Sequence, residues 1–340
     1  MAIGMIRRFG WRRPLRVTAL ALALLLSVPV AAGAALRLED TGHPDPRART
    51  RGHDAVWLGH AWVDGRRTEA DVLTLAGRVR GTGVHDLYVH TGPLDADGGL
   101  APARYPKASW AVRALRAAMP GVRVQAWLGQ QVGRARGDLN LDDLATRARV
   151  VTSAQQVLDT GFDGVHFDFE PVADGDRGFL AVLDATRAMA HQRSRLLSIA
   201  AAHVEPAIGF TAVGNPIVGH AKWWTSGYLR QVARRVDQVA IMSYDTALPL
   251  RSLYGGYVRR ETDVALRNVP APAELLMGLP AFHTDNAGHR ASAETVAAAI
   301  RGVRLALGAN SRQGFGVALY VDFDATESDW SAYRRDWCRE

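Results

Sequence analysis

The feature that most limits what this chain can fold into is a regular alternation. Eight short apolar runs, at residues 55–58, 86–89, 122–128, 164–167, 196–201, 238–242, 275–279 and 316–319, are separated by stretches with helical periodicity. Those stretches cover 71–80, 108–119, 141–158, 179–192, 229–236 and 293–307. Ser292, followed by Glu294 and Thr295, reads as a helix start and Gly308 as a stop. Strands that alternate with helices pair in parallel, and eight such units in one domain predict an α/β fold of the (β/α)8 barrel type. A doubly wound open sheet is the competing arrangement, but no glycine-rich fingerprint follows the first run.

The barrel is predicted over residues 53–340. Before it, Arg7, Arg8, Arg12, Arg13 and Arg16 precede an apolar stretch from 17 to 36, so residues 1–36 read as a signal peptide or a signal anchor. Small residues at 30–34 suit cleavage, while the length is close to the ~20 residues that span a bilayer, and both readings stand. Residues 37–52, with Gly42, Pro44 and Pro46, read as a flexible linker. The domain is therefore expected outside the cytoplasm, secreted or anchored on the extracytoplasmic face of a bacterial membrane. Its one cysteine, Cys338, excludes an intrachain disulfide and a cysteine-based metal site.

Charge narrows the partners. Residues 1–52 hold nine Arg against Glu39, Asp40 and Asp45, a surplus of six out of the chain's net +7. The barrel is thus nearly neutral, and nucleic acid is not an expected ligand. Membrane contact is expected only through an uncleaved N-terminal segment, and nothing implies an oligomer.

In a barrel the chemistry gathers where strands end. The residues found there include His60, His90, Gln130, Glu170, His203, Tyr244, Asp245, His283, Tyr320 and Asp322, a polar and aromatic set suited to sugars. The run Asp163-Gly164-Val165-His166-Phe167-Asp168-Phe169-Glu170 is the densest. If Val165, Phe167 and Phe169 pack outward, then His166, Asp168 and Glu170 share the inner face. Carboxyls so close raise one partner's pKa, as a general acid requires.

That run resembles the D-x-x-D-x-D-x-E signature of the family-18 glycoside hydrolases, the chitinase and endo-β-N-acetylglucosaminidase family, with His166 in place of the first Asp of the inner triplet. Met242-Ser243-Tyr244-Asp245 resembles the family's M-x-Y-D segment on the sixth strand. The resemblance implies that Glu170 is the proton donor, that Asp168 orients a substrate N-acetyl group, and that Tyr244 hydrogen-bonds its carbonyl. Asp245, Met242, His166, Tyr320, Gln130 and Trp127 are then substrate-binding, and Asp163 is supporting. Where the family often ends its eighth strand with Trp, this chain has Tyr320. The implied activity is retaining, substrate-assisted hydrolysis of an oligosaccharide or polysaccharide containing β-linked N-acetylhexosamine, without cofactor or metal.

Each residue also has a plainer reading. Asp168 and Glu170 could be a structural pair, Asp163 a turn-fixing residue, Tyr244 a core aromatic, and His166 a buried histidine that holds Asp168 by a charge-assisted bond. Trp223 and Trp224 suit a sugar subsite or barrel packing equally. Two other functions compete: a carbohydrate-binding barrel with weak or no turnover, and a barrel metallohydrolase using strand-end residues such as His203 and Asp322.

Overall fold

The computed structural model describes residues 30–338. All eight expected strands form, as β1 Asp54–Leu58, β2 Val84–His90, β3 Arg123–Gln131, β4 Gly164–Glu170, β5 Leu196–Ala201, β6 Gln238–Ile241, β7 Glu274–Pro280 and β8 Phe315–Tyr320. They pair in parallel, each with its sequence neighbours, and β1 closes on β8 through Ala55 opposite Ala318. The expected outward and inward faces of β4 are present. Val165, Phe167 and Phe169 join the aliphatic layer between strands and helices, with Leu197, Ile199 and Val239.

Among the described residues, nine helices from residue 69 onward surround the strands: α1 Glu69–Val79, α2 Ala108–Ala118, α3 Leu144–Asp159, α4 Arg177–His191, α5 Phe210–Val218, α6 Ser226–Ala233, α7 Arg251–Asn268, α8 Val296–Leu307 and α9 Glu327–Asp336. The start expected at Ser292 lies three residues later, because Thr295 is the residue whose side chain accepts from the first turn, at Ala298 N. Gly308 does end α8. α7 has no counterpart in the sequence reading. Its buried face mixes Val258, Val264 and Ala265 with Tyr254, Gly255, Gly256, Tyr257, Glu261 and Thr262, so the aliphatic stripe is broken by polar, aromatic and glycine positions.

The stretch read as a flexible linker, 37–52, instead packs on the barrel. A helix over residues 30–39 lies so close to α7 that a Cβ at Gly256 would fall 1.8 Å from Leu36 O. Ala48 is fully buried, Arg304 Nε donates to its carbonyl (2.8 Å), and Thr50 N donates to Trp337 O (2.9 Å). Gly and Pro content signalled the lack of regular structure there, but fixed hydrogen bonds to α8 and the C-terminal turn hold the path. Residues 1–29 of the expected export segment lie outside the described residues. Among the described residues, no helix is long and apolar enough to cross a membrane.

The barrel interior is polar at its base and aromatic above. Arg123 bonds both Asp86 and Glu274 (2.6 Å each), and Gln125 and Gln238 add amide donors to the same carboxylates. Burial pushes the Asp86 carboxyl up, but bonds from His85, Arg123 and Gln125 outweigh it and hold it down at about 2. Above this layer stand Trp57, Tyr88, Trp127, Met242 and Tyr320, and above them the mouth.

Candidate active site

The inner face of β4 lifts three side chains to three different levels. His166, the lowest, is fully buried. Trp57 Nε1–H donates to its Nε2 (3.1 Å), so the proton sits on Nδ1 and is donated to Ser198 Oγ (2.8 Å), which in turn donates to Gln125 Oε1 (2.7 Å). The imidazole also stacks on Tyr88, with ring centroids 3.8 Å apart. Loss of hydration pushes its pKa down to about 3, so the ring is neutral. The expected bond from His166 to Asp168 is therefore absent. Two residues along a strand place their side chains on one face but some 7 Å apart, and the imidazole spends both nitrogens on the layer below.

Trp127 takes that task. It stands opposite His166 in the β3–β4 ladder, and its indole N–H reaches up to Asp168 Oδ2 (2.8 Å). Asp168 Oδ1 is buried and receives no well-formed hydrogen bond from the described residues. Burial pushes the Asp168 carboxyl up, opposed by its bonds with Glu170 and Trp127. Glu170 opens onto the cleft at the end of β4. Its pKa is raised well above the ordinary carboxyl range, first by loss of hydration and then by the charge of Asp168, with Asp245 adding to it. Both shifts disfavour ionising the two carboxyls together, and the strong rise on Glu170 is the condition of an acid at neutral pH.

These carboxyls open on a cleft of about 660 Å³, whose walls include Gln130, Pro171, Lys222, Met242, Tyr244 and Asp245. A recess of about 70 Å³ in its floor is lined by Trp57, Asp168, Glu170, Ala200, Met242, Tyr244, Asp245 and Tyr320. Tyr244 is buried and stacks on Tyr320 at 5.3 Å; burial and the charges of Asp168, Glu170 and Asp245 keep its hydroxyl protonated. Gly278 on β7 makes room for that ring, since a Cβ there would meet Tyr244 Cε1 at 2.8 Å.

Of the residues expected to bind substrate, Met242, Tyr320 and Asp245 line the recess, while Trp127 and His166 are buried behind it. Gln130 lines the cleft, yet its amide is committed to Leu94 O and Gln131 N. Asp163 lies at the far end of β4, accepting from Val124 N (2.9 Å) and pairing with Arg116 and Arg195, which makes it a structural residue. Trp224 is core, its N–H donated to Val172 O (2.8 Å). Trp223 stands at 5.0 Å from Phe210 and donates to Tyr257 Oη (2.9 Å). His203 pairs with Glu261 (3.0 Å), whereas Asp322 accepts from Gly59 N and Trp62 Nε1, so they form no common site.

Three residues at the site were not among those the sequence reading assigned to it. Lys222 lines the cleft and donates Nζ–H to Asp245 O. His289 is buried behind Asp245, and Glu294 behind His289. Asp245, His289 and Glu294 bring their polar atoms within 4.8 Å of one another, a spacing an ion could share. The Glu294 carboxylate, however, already accepts from the backbone N–H groups of Thr246, Ala247 and Arg290. No local motif links residues 44 and 49 positions beyond Asp245 to it.

A parallel (β/α)8 barrel carrying a close carboxyl pair with a raised acid at the end of β4, in a cleft of sugar size, is a glycoside hydrolase. The chain belongs to the glycosyl hydrolases family 18, whose profile matches residues 100–332. The fold is similar to that of a chitinase from Chromobacterium violaceum ATCC 12472, at 18% identity and a TM-score of 0.58 over 84% of this chain and 99% of that one. It is also similar to the Bacillus cereus spore cortex-lytic enzyme SleL, at 15% identity and 0.57 over 84% and 74%. A class V chitinase from Pseudomonas fluorescens Pf-5 aligns at 15% and 0.54 over 86% and 99%. No curated protein matches the chain.

Proposed function

We propose that this glycosidase cleaves β-linked N-acetylhexosamine-containing glycans with retention, using the substrate's own acetamido group as nucleophile. The carrying observation is the state of Asp168. One of its oxygens is held by Trp127, and the other is a buried acceptor lacking a well-formed hydrogen bond, in the wall of a recess shared with Tyr244. A buried acceptor of this kind is costly unless something donates to it. An acetamido N–H is such a donor, and the Tyr244 hydroxyl is then in reach of the acetyl oxygen.

In this reading Glu170 gives its proton to the glycosidic oxygen as the C1–O bond breaks. The acetamido oxygen bonds to C1 from the opposite face, forming an oxazolinium ion whose N–H stays on Asp168. Glu170, now a carboxylate, removes a proton from water, which attacks C1, opens the ring and restores the acetamide and the protonated acid. The basic start and the apolar run over 17–36 support delivery to the extracytoplasmic side of a bacterial membrane, by cleavage or by anchoring.

The test is a panel of aryl 2-acetamido glycosides and matching glucosides, with a thiazoline analogue of the bicyclic intermediate. Cleavage of the former alone, with tight inhibition by the thiazoline, is expected. Efficient cleavage of plain glucosides overturns the N-acetyl mechanism.

A further inference from the structure

Asp245 sits in an unusual setting for a residue at a substrate cleft. Its backbone is left-handed (φ 63°), as is that of Ala247 (58°), so the turn after β6 is held by its surroundings rather than by local preference. Lys222 Nζ–H bonds the Asp245 carbonyl, and Glu294, at the entrance to α8, accepts from Thr246 N and Ala247 N at 3.1 and 3.0 Å. The Asp245 side chain is about half exposed to the cleft, yet Oδ1 is buried and lacks a well-formed hydrogen bond.

What stands behind that oxygen is His289. Its side chain is fully buried, one face lying against Phe282 at 4.1 Å between ring centroids. Nδ1 is 3.3 Å from Asp245 Oδ1 and 3.4 Å from Glu294 Oε2, distances of ion pairing rather than of well-formed hydrogen bonds. Both carboxylates approach the same nitrogen, and an imidazolium attracts the two together, in addition to the backbone N–H groups that Glu294 already holds, whereas a neutral ring brings no charge to set against them.

We propose that His289 is a cationic positioning residue, an imidazolium clamped between Glu294 and Asp245 that holds the Asp245 carboxylate in the cleft wall for substrate. The groups that face it are Asp245 from the turn after β6 and Glu294 from the start of α8. Lys222 lies beyond the Asp245 carbonyl, Glu170 across the cleft feels the Asp245 charge, and Tyr254 from α7 lies in the field of both acids. Burial works against the imidazolium, but the two carboxylates outweigh it and raise its pKa to about 9. The clamp is then complete at neutral pH and opens in alkali. The role in binding rests on the function proposed above; the charge on His289 does not.

Two measurements separate these parts. The first is substrate-free: melting temperatures of the parent, His289→Gln and Asp245→Asn at pH 6 and pH 10. A folded-state pKa raised above the ordinary histidine value stabilises fully below that value and ceases to as pH rises through about 9. The gap between parent and each variant is therefore expected to be wide at pH 6 and to narrow at pH 10. Should His289→Gln not fold, Asp245→Asn carries the comparison alone. A gap that does not change with pH overturns the cation, and strong stabilisation of the parent by added Zn²⁺ replaces it with a metal ligand. The second is calorimetric titration with a β-1,4-linked N-acetylglucosamine tetramer in the Glu170→Gln background, which removes the acid's own titration. Affinity is expected to fall about tenfold between pH 7 and pH 10 with His289 present and to stay flat with His289→Gln added. Equal pH dependence in both proteins overturns the positioning role. If the tetramer binds neither protein at any pH, the substrate assignment falls and the melting series alone decides the charge of His289.

Discussion

Trp127 donates its indole N–H to Asp168 across 2.8 Å, from a position two residues below it in the register of the neighbouring strand. It is the one well-formed hydrogen bond the described residues give this carboxylate, so the orientation of the residue next to the acid depends on β3. Trp127→Phe keeps most of the ring and removes the donor. It should cost about 1–3 kcal/mol of stability, because the Asp168 carboxyl loses its indole donor in a buried setting. Turnover should fall by roughly 10- to 100-fold as that carboxylate loses its fixed orientation. Steady-state kinetics on an aryl 2-acetamido glycoside, beside a urea melt, measure both. Unchanged turnover would show that Asp168 is oriented by other means.

His166 should govern stability in acid rather than catalysis. Its folded-state pKa, about 3, lies below the ordinary value near 6.5, so the unfolded chain binds the extra proton. Stability should then decline as pH falls from about 6.5 toward 3, while above 6.5 this residue contributes no slope. His166→Gln cannot titrate and should flatten that limb, with turnover at pH 7 within about threefold of the parent, since the ring touches Trp57, Tyr88 and Ser198 but not the acid pair. His166→Asp restores the family's letter but puts a carboxyl beside the Trp57 N–H and Ser198, and it should be less stable than Gln. Urea midpoints across pH 3–8 check the limb. A large loss of turnover in a stable His166→Gln protein would contradict the separation.

The eight strands and the two faces of β4 were legible because both are periodic: aliphatic side chains pack outward every second residue while polar and aromatic ones turn inward. Glu170, Asp168, Tyr244 and Asp245 were legible because they sit in two short local motifs. What was not legible depends on register between strands or on contacts across loops. Parity put His166 and Asp168 on one face, but only the β3–β4 register shows that Trp127 reaches Asp168. His289 and Glu294 lie on the loop after β7 and at the start of α8, far along the chain from the aspartate they serve. α7 was hidden for a different reason: its few buried aliphatic residues, such as Val258 and Ala265, are interrupted by glycines, tyrosines and a charged residue paired in place, Glu261 with His203.

A chain beginning at Gly52 should be measurably weaker than one beginning at residue 30. It loses the buried Ala48, the Thr50 Oγ1–H bond to Asp54 (2.6 Å), and the contacts of Arg259, Arg301 and Arg304 with residues 39–48. Asp54 is fully buried and raised by its loss of hydration, so losing one of its donors is costly. The total should be about 3 kcal/mol or more, a fall of roughly 6 °C in melting temperature for a domain of this size. Calorimetric melts of the two proteins decide it, and equal melting temperatures would restore residues 37–52 to the status of a linker.

Asp168→Asn should move the alkaline limb of the pH–rate profile, not merely lower its height. Burial is the largest cause of the high Glu170 pKa, and the Asp168 charge is the next. Removing that charge leaves burial in place but takes away the repulsion that discourages Glu170 from ionising. The Glu170 pKa should therefore drop, and kcat/KM on an unactivated N-acetylglucosamine oligomer should begin to fall at a lower pH than in the parent. The height should drop as well, by about 10²- to 10³-fold, since the oxazolinium N–H loses a charged acceptor. Glu170→Gln provides the reference: with no acid to titrate it should lose the alkaline limb entirely and retain roughly 10⁻² to 10⁻⁴ of the parent rate. If the limb of Asp168→Asn coincides with that of the parent while its height falls, the Asp168 charge does not raise the Glu170 pKa, which then belongs to burial alone.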